Sequence, residues 1–224
     1  MNDSWSGARV TRLPNYAQVF PSGCSDERTG RLHSIEKLPD VIMIYMGMND
    51  WANAVPLGLF QENNATDPTT MFYSAYTLML NKLRNNYPNA VIYCCTLNAT
   101  MMSQNPAFQF PFSFGGIRLD EYNDLIRQAA GSCQCLVLDL EKYHMPYDSI
   151  DGSHPNAEGM KTLAMLILRE LLGENAGIFD CPSNLHEYMK VSDNGYQEKY
   201  VCRKCCKLVS NVDSVYSEEH LISD

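Results

Sequence analysis

The feature that most constrains this chain is an alternation of short apolar runs with amphipathic segments between residues 40 and 172. The apolar runs are rich in β-branched residues and are followed by turn-forming residues, which is typical of strands buried in a parallel sheet. The pattern predicts an α/β fold with a doubly wound parallel sheet, in which ligands bind beyond the carboxyl ends of the strands. The predicted strands lie at 40–46, 90–96 and 135–140, and the predicted helices at 67–88, 119–131 and 156–172.

Composition excludes several classes of protein. The chain has 224 residues, of which 45% are hydrophobic and 19% are charged, so it can form one medium domain with an appendage. The net charge of -9 provides no positive field for a phosphate backbone, and nucleic acid is not expected as a partner. No apolar run is long enough to span a bilayer, and residues 1–7 do not resemble a secretory signal, so a soluble cytoplasmic protein is expected.

Polar residues follow the predicted strands at the positions where ligands are expected. Asn49 comes after the first strand, and Asp151 and His154 lie just before the last helix. A carboxylate three residues before a histidine can accept the proton of one imidazole nitrogen and leave the other nitrogen basic. Each feature alone also fits a turn or a helix cap. The long segment 97–117, rich in Met and Phe, is interpreted as a lid or substrate wall, with packing over the sheet edge as the alternative.

The order and spacing of these residues resemble the SGNH, or GDSL-type, family of esterases and acylhydrolases. Residues 47–50, Gly-Met-Asn-Asp, resemble the family's G-x-N-D block, and residues 151–160 resemble its D-x-x-H block with the helix that follows. The resemblance covers residues 2 to about 172 and implies a flavodoxin-like α/β fold and acyl transfer from an ester. It also implies that Asn49 donates to an oxyanion hole, that His154 is the general base and that Asp151 orients it.

Residues 2–7, Asn-Asp-Ser-Trp-Ser-Gly, fit the family in two ways. Aligned with the first block, G-D-S, they make Ser4 the nucleophile. Aligned with the second block, they make Gly7 a backbone donor of the oxyanion hole. A nucleophile in this fold follows a strand of about five apolar residues, and the residues before Ser4 do not provide one. The second alignment is therefore favoured, and it predicts an N-terminally incomplete chain without the nucleophile block.

The favoured alignment has consequences for activity and assembly. Whether the chain itself is active is left open: it is a fragment, its start is placed too late, or a partner chain donates the missing strand. The exposed sheet is expected to favour self-association. If the sequence starts too late, a signal peptide that precedes it would be missing. The expected location would then be outside the cytoplasm. Beside the oxyanion positions, Trp5 and Trp51 are interpreted as substrate-lining residues, with core aromatics as the alternative. Asp50 is interpreted as a structural acceptor that orients the turn at Asn49.

The nine cysteines form two groups. Five are scattered through the first 180 residues without a disulfide spacing and are predicted to be reduced core thiols. The C-x-x-C pair Cys202 and Cys205, with Cys181 and His186 upstream, resembles an irregular zinc ribbon, and residues 194–195, Asn-Gly, fit its hairpin turn. A structural zinc ion held by these four residues is predicted, with free thiols as the alternative.

These features define two function hypotheses. The first is an SGNH/GDSL-type serine ester hydrolase, either a lipase or acylhydrolase or a carbohydrate esterase, that acts on a small-molecule ester and needs no cofactor for catalysis. The second is a non-catalytic binding or scaffold protein with the same fold and a metal-binding tail. In both, residues 1–175 form the SGNH-like α/β domain and residues 176–224 form the Cys-rich tail.

Overall fold

The structure is a computed structural model that describes residues 2–12, 20–34, 37–58, 67–98, 113–114, 116–151, 154–173, 180–182, 185–193 and 198–210. The helices of this part of the chain are α1 (Asp26–Gly30), α2 (Met48–Ala52), α3 (Phe72–Asn86), α4 (Leu119–Ser132) and α5 (Ala157–Leu172), with short 3-10 turns at Arg31–Ser34 and Glu141–Tyr143. Its strands are β1 (Val41–Ile44), β2 (Val91–Cys95), β3 (Ser113–Phe114), β4 (Ile117–Arg118), β5 (Leu136–Leu138), β6 (Tyr188–Asp193), β7 (Glu198–Cys202) and β8 (Leu208–Ser210).

The chain forms two compact units. The first comprises residues 1–97 and 110–138, and the second comprises residues 98–109 and 139–224. The helix α5 and the Cys-rich segment belong to the second unit. The domain boundary near residue 175 stays a prediction.

The first unit contains the parallel sheet that the sequence predicts. Its strands run in the order β1-β2-β5, with Val41 opposite Val91 and Tyr93 opposite Leu136. Helix α4 packs against β2 and β5, and α3 packs against α4 and α1. The carboxyl ends of the three strands therefore lie at one edge of the sheet, as the parallel arrangement requires.

The prediction that the strands are buried on both faces is wrong for β1. Ile42 and Ile44 are buried, whereas Val41 and Met43 are 54% and 43% exposed. Leu136 on β5 is 52% exposed as well. The β1 side chains alternate between the two faces, and only one set is buried.

Two predicted element boundaries also differ from the structure. Helix α3 begins at Phe72 rather than near Asp67, because the Asp67 side chain accepts the N–H and the hydroxyl of Thr69 and so closes a separate turn. The N–H of Phe72 then donates to the carbonyl of Pro56. Strand β5 ends at Leu138 rather than residue 140, because the N–H of Asp139 donates to the Glu170 side chain instead of continuing the ladder.

The second unit combines α5 with an antiparallel sheet in the order β6-β7-β8. The Glu170 carboxylate of α5 also accepts the Tyr143 hydroxyl at 2.8 Å, so α5 is fixed to the segment that follows β5. The predicted hairpin turn at 194–195 lies outside the described residues, as does most of the predicted lid, residues 99–112. Helix α5 is the longest of the described helices, and none of them has the length and apolar character needed to cross a membrane.

None of the nine cysteines, all of which lie in the described residues, forms a disulfide bond. In the first group Cys24, Cys94, Cys95 and Cys133 are buried and Cys135 is half-buried. Burial raises the pKa of Cys24 above the ordinary thiol value, which favours the neutral form. The structure therefore places this group where the sequence predicted it, in and near the core.

Candidate functional site

The turn after β1 depends on a glycine. Gly47 has φ +131, and a Cβ on it would lie 3.0 Å from the Phe72 ring and 3.2 Å from Leu97. Only glycine combines this backbone conformation with so little space. Helix α2 begins at the next residue and carries Asn49 in its first turn.

Asn49 lies beside the N-terminal segment that contains Gly7. Its side-chain amide donates to the carbonyl of Ala8 at 3.0 Å, and the side chain is half-buried. A carboxamide carries two N–H groups, so the bond to Ala8 fixes its orientation and leaves the second N–H to serve another acceptor. The structure thus brings together two of the residues that the family resemblance assigns to an oxyanion hole.

Gly7 lies in a tight turn from Trp5 to Ala8. The N–H of Ala8 donates to the Trp5 carbonyl at 3.1 Å, and Gly7 has φ +75. A positive φ at the third position is the requirement of a type II turn. A Cβ on Gly7 would meet nothing within 4 Å, so the backbone conformation alone selects glycine here.

Asp50 holds the segment after this turn in place. It is fully buried and accepts the N–H of Val10 at 2.8 Å, the N–H of Thr11 at 3.0 Å and the Thr11 hydroxyl at 2.7 Å. Burial raises the pKa of Asp50, and the hydrogen bonds from Thr11 and Val10 act in the opposite direction. Asp50 is therefore the structural acceptor that the sequence suggested, but its partners lie about 40 residues away rather than in its own turn.

Asp151 and His154 form a hydrogen-bonded pair in the second unit. The Nδ1 of His154 lies 2.8 Å from Oδ2 of Asp151, and the backbone N–H of His154 donates to Oδ1 at 2.8 Å. Their side chains are 53% and 66% exposed, so a reactant can reach the imidazole. A proton on Nδ1, donated to the carboxylate, leaves the lone pair on Nε2.

The loop that carries this pair folds closely over the start of α5. The N–H of Ile150 donates to the His154 carbonyl at 2.8 Å, and the N–H of Asn156 donates to the Asp148 carbonyl at 3.0 Å. Asn156 caps α5 by accepting the N–H of Gly159. A Cβ on Gly159 would overlap the Asp148 carbonyl oxygen. Gly159 is therefore a positioning residue that the sequence reasoning missed, although its place in the D-x-x-H block could have indicated it.

Replacing Gly159 with alanine is expected to displace the loop from α5, because the new methyl group overlaps backbone rather than a flexible side chain. The free energy of unfolding should fall by about 1–3 kcal/mol. Urea denaturation followed by circular dichroism measures this. Gly131→Ala is the matched control, because Gly131 lies in α4 with open space around it and alanine should be neutral or stabilising there. Equal stability of the two variants would contradict the role given to Gly159.

The other predicted site residues lie in different surroundings. Ser4 is exposed in an irregular segment, and its N–H donates to the Asn2 side chain. Trp5 is half-buried, with the Arg31 guanidinium 4.6 Å from its ring centre. Trp51 is only 7% exposed and its indole N–H donates to the Ile117 carbonyl at 3.1 Å, an arrangement that fits the core alternative. Ser4 as nucleophile and both tryptophans as substrate-lining residues stay predictions.

The pairs Gly7–Asn49 and Asp151–His154 belong to different units of the chain. Gly7 and Asn49 lie in the first unit, and Asp151 and His154 lie in the second. Asn49 donates to Ala8, the neighbour of Gly7, and His154 is hydrogen-bonded to Asp151. The roles of all four residues in catalysis stay predictions. The convergence of both pairs on one substrate stays a prediction.

The four residues predicted to bind metal form a cluster in the second unit. The ligand atoms of Cys181, His186, Cys202 and Cys205 all lie within 4.8 Å of one another. Cys181 is half-buried and the other three side chains are buried. This cluster can hold a metal ion.

Comparison with known proteins agrees with the fold and the motifs. Residues 1–162 match the model of the GDSL-like lipase/acylhydrolase family. The chain belongs to this family, and its fold is the α/β fold of SGNH hydrolases. No curated protein matches the sequence significantly.

Solved structures with similar folds include three from bacteria. A protein from Lactobacillus plantarum is 23% identical with a TM-score of 0.56, and the match covers 74% of this chain and 77% of that one. Est24, a carbohydrate acetylesterase from Sinorhizobium meliloti, is 18% identical with a TM-score of 0.49, over 75% and 76% of the two chains. A GDSL-like lipase from Bacteroides ovatus is 22% identical with a TM-score of 0.43, over 60% and 54%.

Proposed function

We propose that this chain carries the catalytic apparatus of a serine ester hydrolase that transfers an acyl group from a lipid or carbohydrate ester to water. The observation that carries the proposal is the hydrogen bond between His154 Nδ1 and Asp151 Oδ2, with the imidazole accessible to a reactant. Membership of the GDSL-like family supports the same chemistry. An imidazole oriented by a carboxylate is suited to move the proton of a serine hydroxyl.

In the proposed reaction, Nε2 of His154 takes the proton from the nucleophilic serine as its oxygen attacks the ester carbonyl. Asp151 holds the imidazole and stabilises its charged form. The Asn49 amide and the Gly7 N–H donate to the oxyanion of the tetrahedral intermediate. His154 then gives its proton to the leaving alcohol, and a water molecule, activated by the same nitrogen, releases the acid and restores the serine.

The nucleophile of the proposed reaction is expected in a segment other than the one around Ser4. Within residues 2–12, which the structure describes, no strand presents Ser4 as a nucleophile, and the turn at Gly7 fits the family's second block. We therefore expect a fluorophosphonate probe not to label Ser4. The probe should label a serine in a chain extended upstream, and that chain should hydrolyse an aryl acetate.

Labelling is measured by intact mass and the modified serine is located by peptide mapping. Modification of Ser4 would identify Ser4 as the nucleophile and would show that this chain is itself the enzyme. If neither form is labelled and neither hydrolyses esters, the alternative function holds, a non-catalytic binding or scaffold protein of the same fold. The cluster of four residues that can hold a metal ion is compatible with that alternative, because it needs no catalytic activity.

Replacement of Asn49 with alanine tests the oxyanion hole. In the active form we expect kcat to fall about a hundredfold or more while KM changes little, because the amide binds charge that develops only in the transition state. Steady-state kinetics with an aryl acetate measure both constants. Asn85→Ala is the control, because Asn85 is exposed on α3. A rise in KM at constant kcat would instead make Asn49 a residue of ground-state binding.

The proposed chemistry needs no cofactor, because the base, its orienting carboxylate and the oxyanion donors are protein groups. A zinc ion in the tail would have a structural role, since four protein ligands leave no coordination position for water or substrate. A cytoplasmic location and self-association also stay proposals. Cell fractionation tests the first, and sedimentation velocity over a range of protein concentrations tests the second.

A further inference from the structure

The cluster in the second unit has the dimensions of a tetrahedral metal site. The sulfur atoms of Cys181 and Cys202 are 4.0 Å apart, and the sulfur of Cys205 lies 3.6 Å from Nδ1 of His186. With zinc–sulfur bonds of about 2.3 Å and zinc–nitrogen bonds of about 2.0–2.1 Å, tetrahedral geometry requires about 3.8 Å and about 3.6 Å for these separations. These two separations already match those of a tetrahedral site, and the other ligand atoms, all within 4.8 Å of one another, need to approach by at most about 1 Å to bind one ion.

The backbone around Cys202 and Cys205 is closed into a turn that directs both thiols to the same side. The N–H of Cys206 donates to the Cys202 carbonyl at 2.8 Å, and the N–H of Cys202 donates to the Lys207 carbonyl at 3.0 Å. Cys206 itself has φ +57, a left-handed conformation that is unfavourable for a residue with a side chain. It is buried but does not belong to the set of four ligand atoms.

Helix α5 is tied to this turn by a buried arginine. Arg169 is 2% exposed, its Nε donates to the Cys205 carbonyl at 2.7 Å, and its Nη2 donates to Oδ1 of Asp180 at 2.5 Å. Asp180 immediately precedes Cys181 and also accepts the Lys207 ammonium at 2.6 Å.

Apolar contacts also connect α5 to the Cys-rich sheet. Tyr188, Tyr200, Cys202 and Cys205 form a small buried cluster, and Met165 of α5 packs against it. Two of the proposed ligands are thus part of the core that the tail sheet shares with α5. Small cores of this kind are usually stabilised by an additional cross-link or metal ion.

We infer that Cys181, His186, Cys202 and Cys205 bind one zinc ion, and that the metal-held turn anchors the second half of α5 through Arg169. Three thiolates and an imidazole favour zinc over magnesium or calcium, which prefer oxygen ligands. Zinc binding releases the thiol protons to solvent and changes no oxidation state. The metal therefore stabilises the helix that begins three residues after His154.

Metal content of the whole chain tests the site directly. Protein purified without chelator should contain about one zinc per chain, and Cys205→Ser should contain less than about a tenth of that. Cys206→Ala, at the adjacent buried thiol outside the ligand set, should keep about one zinc per chain. Elemental analysis measures all three, and equal metal loss in both variants would overturn the assignment of ligands.

Cobalt(II) substitution tests the geometry without any variant. The cobalt-loaded chain should show the intense visible bands of tetrahedral coordination together with thiolate charge-transfer absorption. A weak octahedral spectrum, or folded protein that binds neither metal, would overturn the proposal. Metal content and the cobalt spectrum do not depend on ester hydrolysis. They therefore test the metal site even if the chain proves not to be an esterase.

Hydrogen exchange tests the link to α5. Chelation of the metal should speed amide exchange in the second half of α5 and in β6–β8 by roughly tenfold or more, because the buried Arg169 loses its partners. Helix α3, in the other unit, is the internal control and should not change. Zinc loss that leaves exchange in α5 unchanged would show that Arg169 does not transmit the stabilisation.

Discussion

Replacement of His154 with alanine is expected to lower kcat for ester hydrolysis by about a thousandfold or more. The variant is made in the active form of the chain, the one that the fluorophosphonate probe modifies. The reason is that no other group then takes the serine proton, so activity depends on the oxyanion donors and on binding alone. The side chain is 66% exposed, so its loss should barely change stability. Steady-state hydrolysis of an aryl acetate and a thermal melt measure the two effects.

Two further variants separate catalysis from folding at this pair. Asp151→Asn should also lower kcat strongly, because an amide no longer stabilises the imidazolium and can favour the wrong tautomer. Lys161→Ala, at an exposed position of α5, is the control and should be active. Full activity of His154→Ala would remove this residue from the mechanism and with it the main support for the proposed function.

Replacement of Asp50 with alanine is expected to destabilise the first unit by about 3–5 kcal/mol. The change leaves the N–H groups of Val10 and Thr11 and the Thr11 hydroxyl without the carboxylate that accepts them in a fully buried site. The segment that contains Ala8 should then detach from Asn49, so the oxyanion donors lose their arrangement. Urea denaturation measures the loss of stability.

Asp50→Asn tests how much of this stability depends on the second carboxylate oxygen. Its amide oxygen can still accept the two hydrogen bonds from Thr11, whereas its NH2 group cannot accept the N–H of Val10, so an intermediate loss of stability is expected. Asp40→Ala removes an exposed carboxylate at the start of β1 and should change the free energy of unfolding by less than about 1 kcal/mol. Similar stabilities for Asp50→Ala and Asp40→Ala would show that the three bonds to Asp50 do not hold the segment.

Local patterns predicted much of the fold and of the site. The apolar runs predicted β1, β2 and β5, and the apolar spacing predicted α3, α4 and α5, because side-chain periodicity depends only on neighbouring residues. The Asp151–His154 pair was predictable for the same reason, since its members are three residues apart. The four residues of the cluster that can hold a metal ion followed from the C-x-x-C spacing and from a histidine and a cysteine nearby in the chain.

Other features required the tertiary structure. Asp50 and Thr11 are 39 residues apart, and Arg169 and Cys205 are 36 residues apart, so no periodic pattern connects either pair. The apolar run at β1 did not reveal that Val41 and Met43 are exposed, because apolar character alone does not specify which face another element covers. By itself, the sequence determined the α/β class, the family and the residues of the candidate pair and cluster. Tertiary structure alone decided which distant groups hold them, because hydrogen bonds between remote residues form only after the chain has folded.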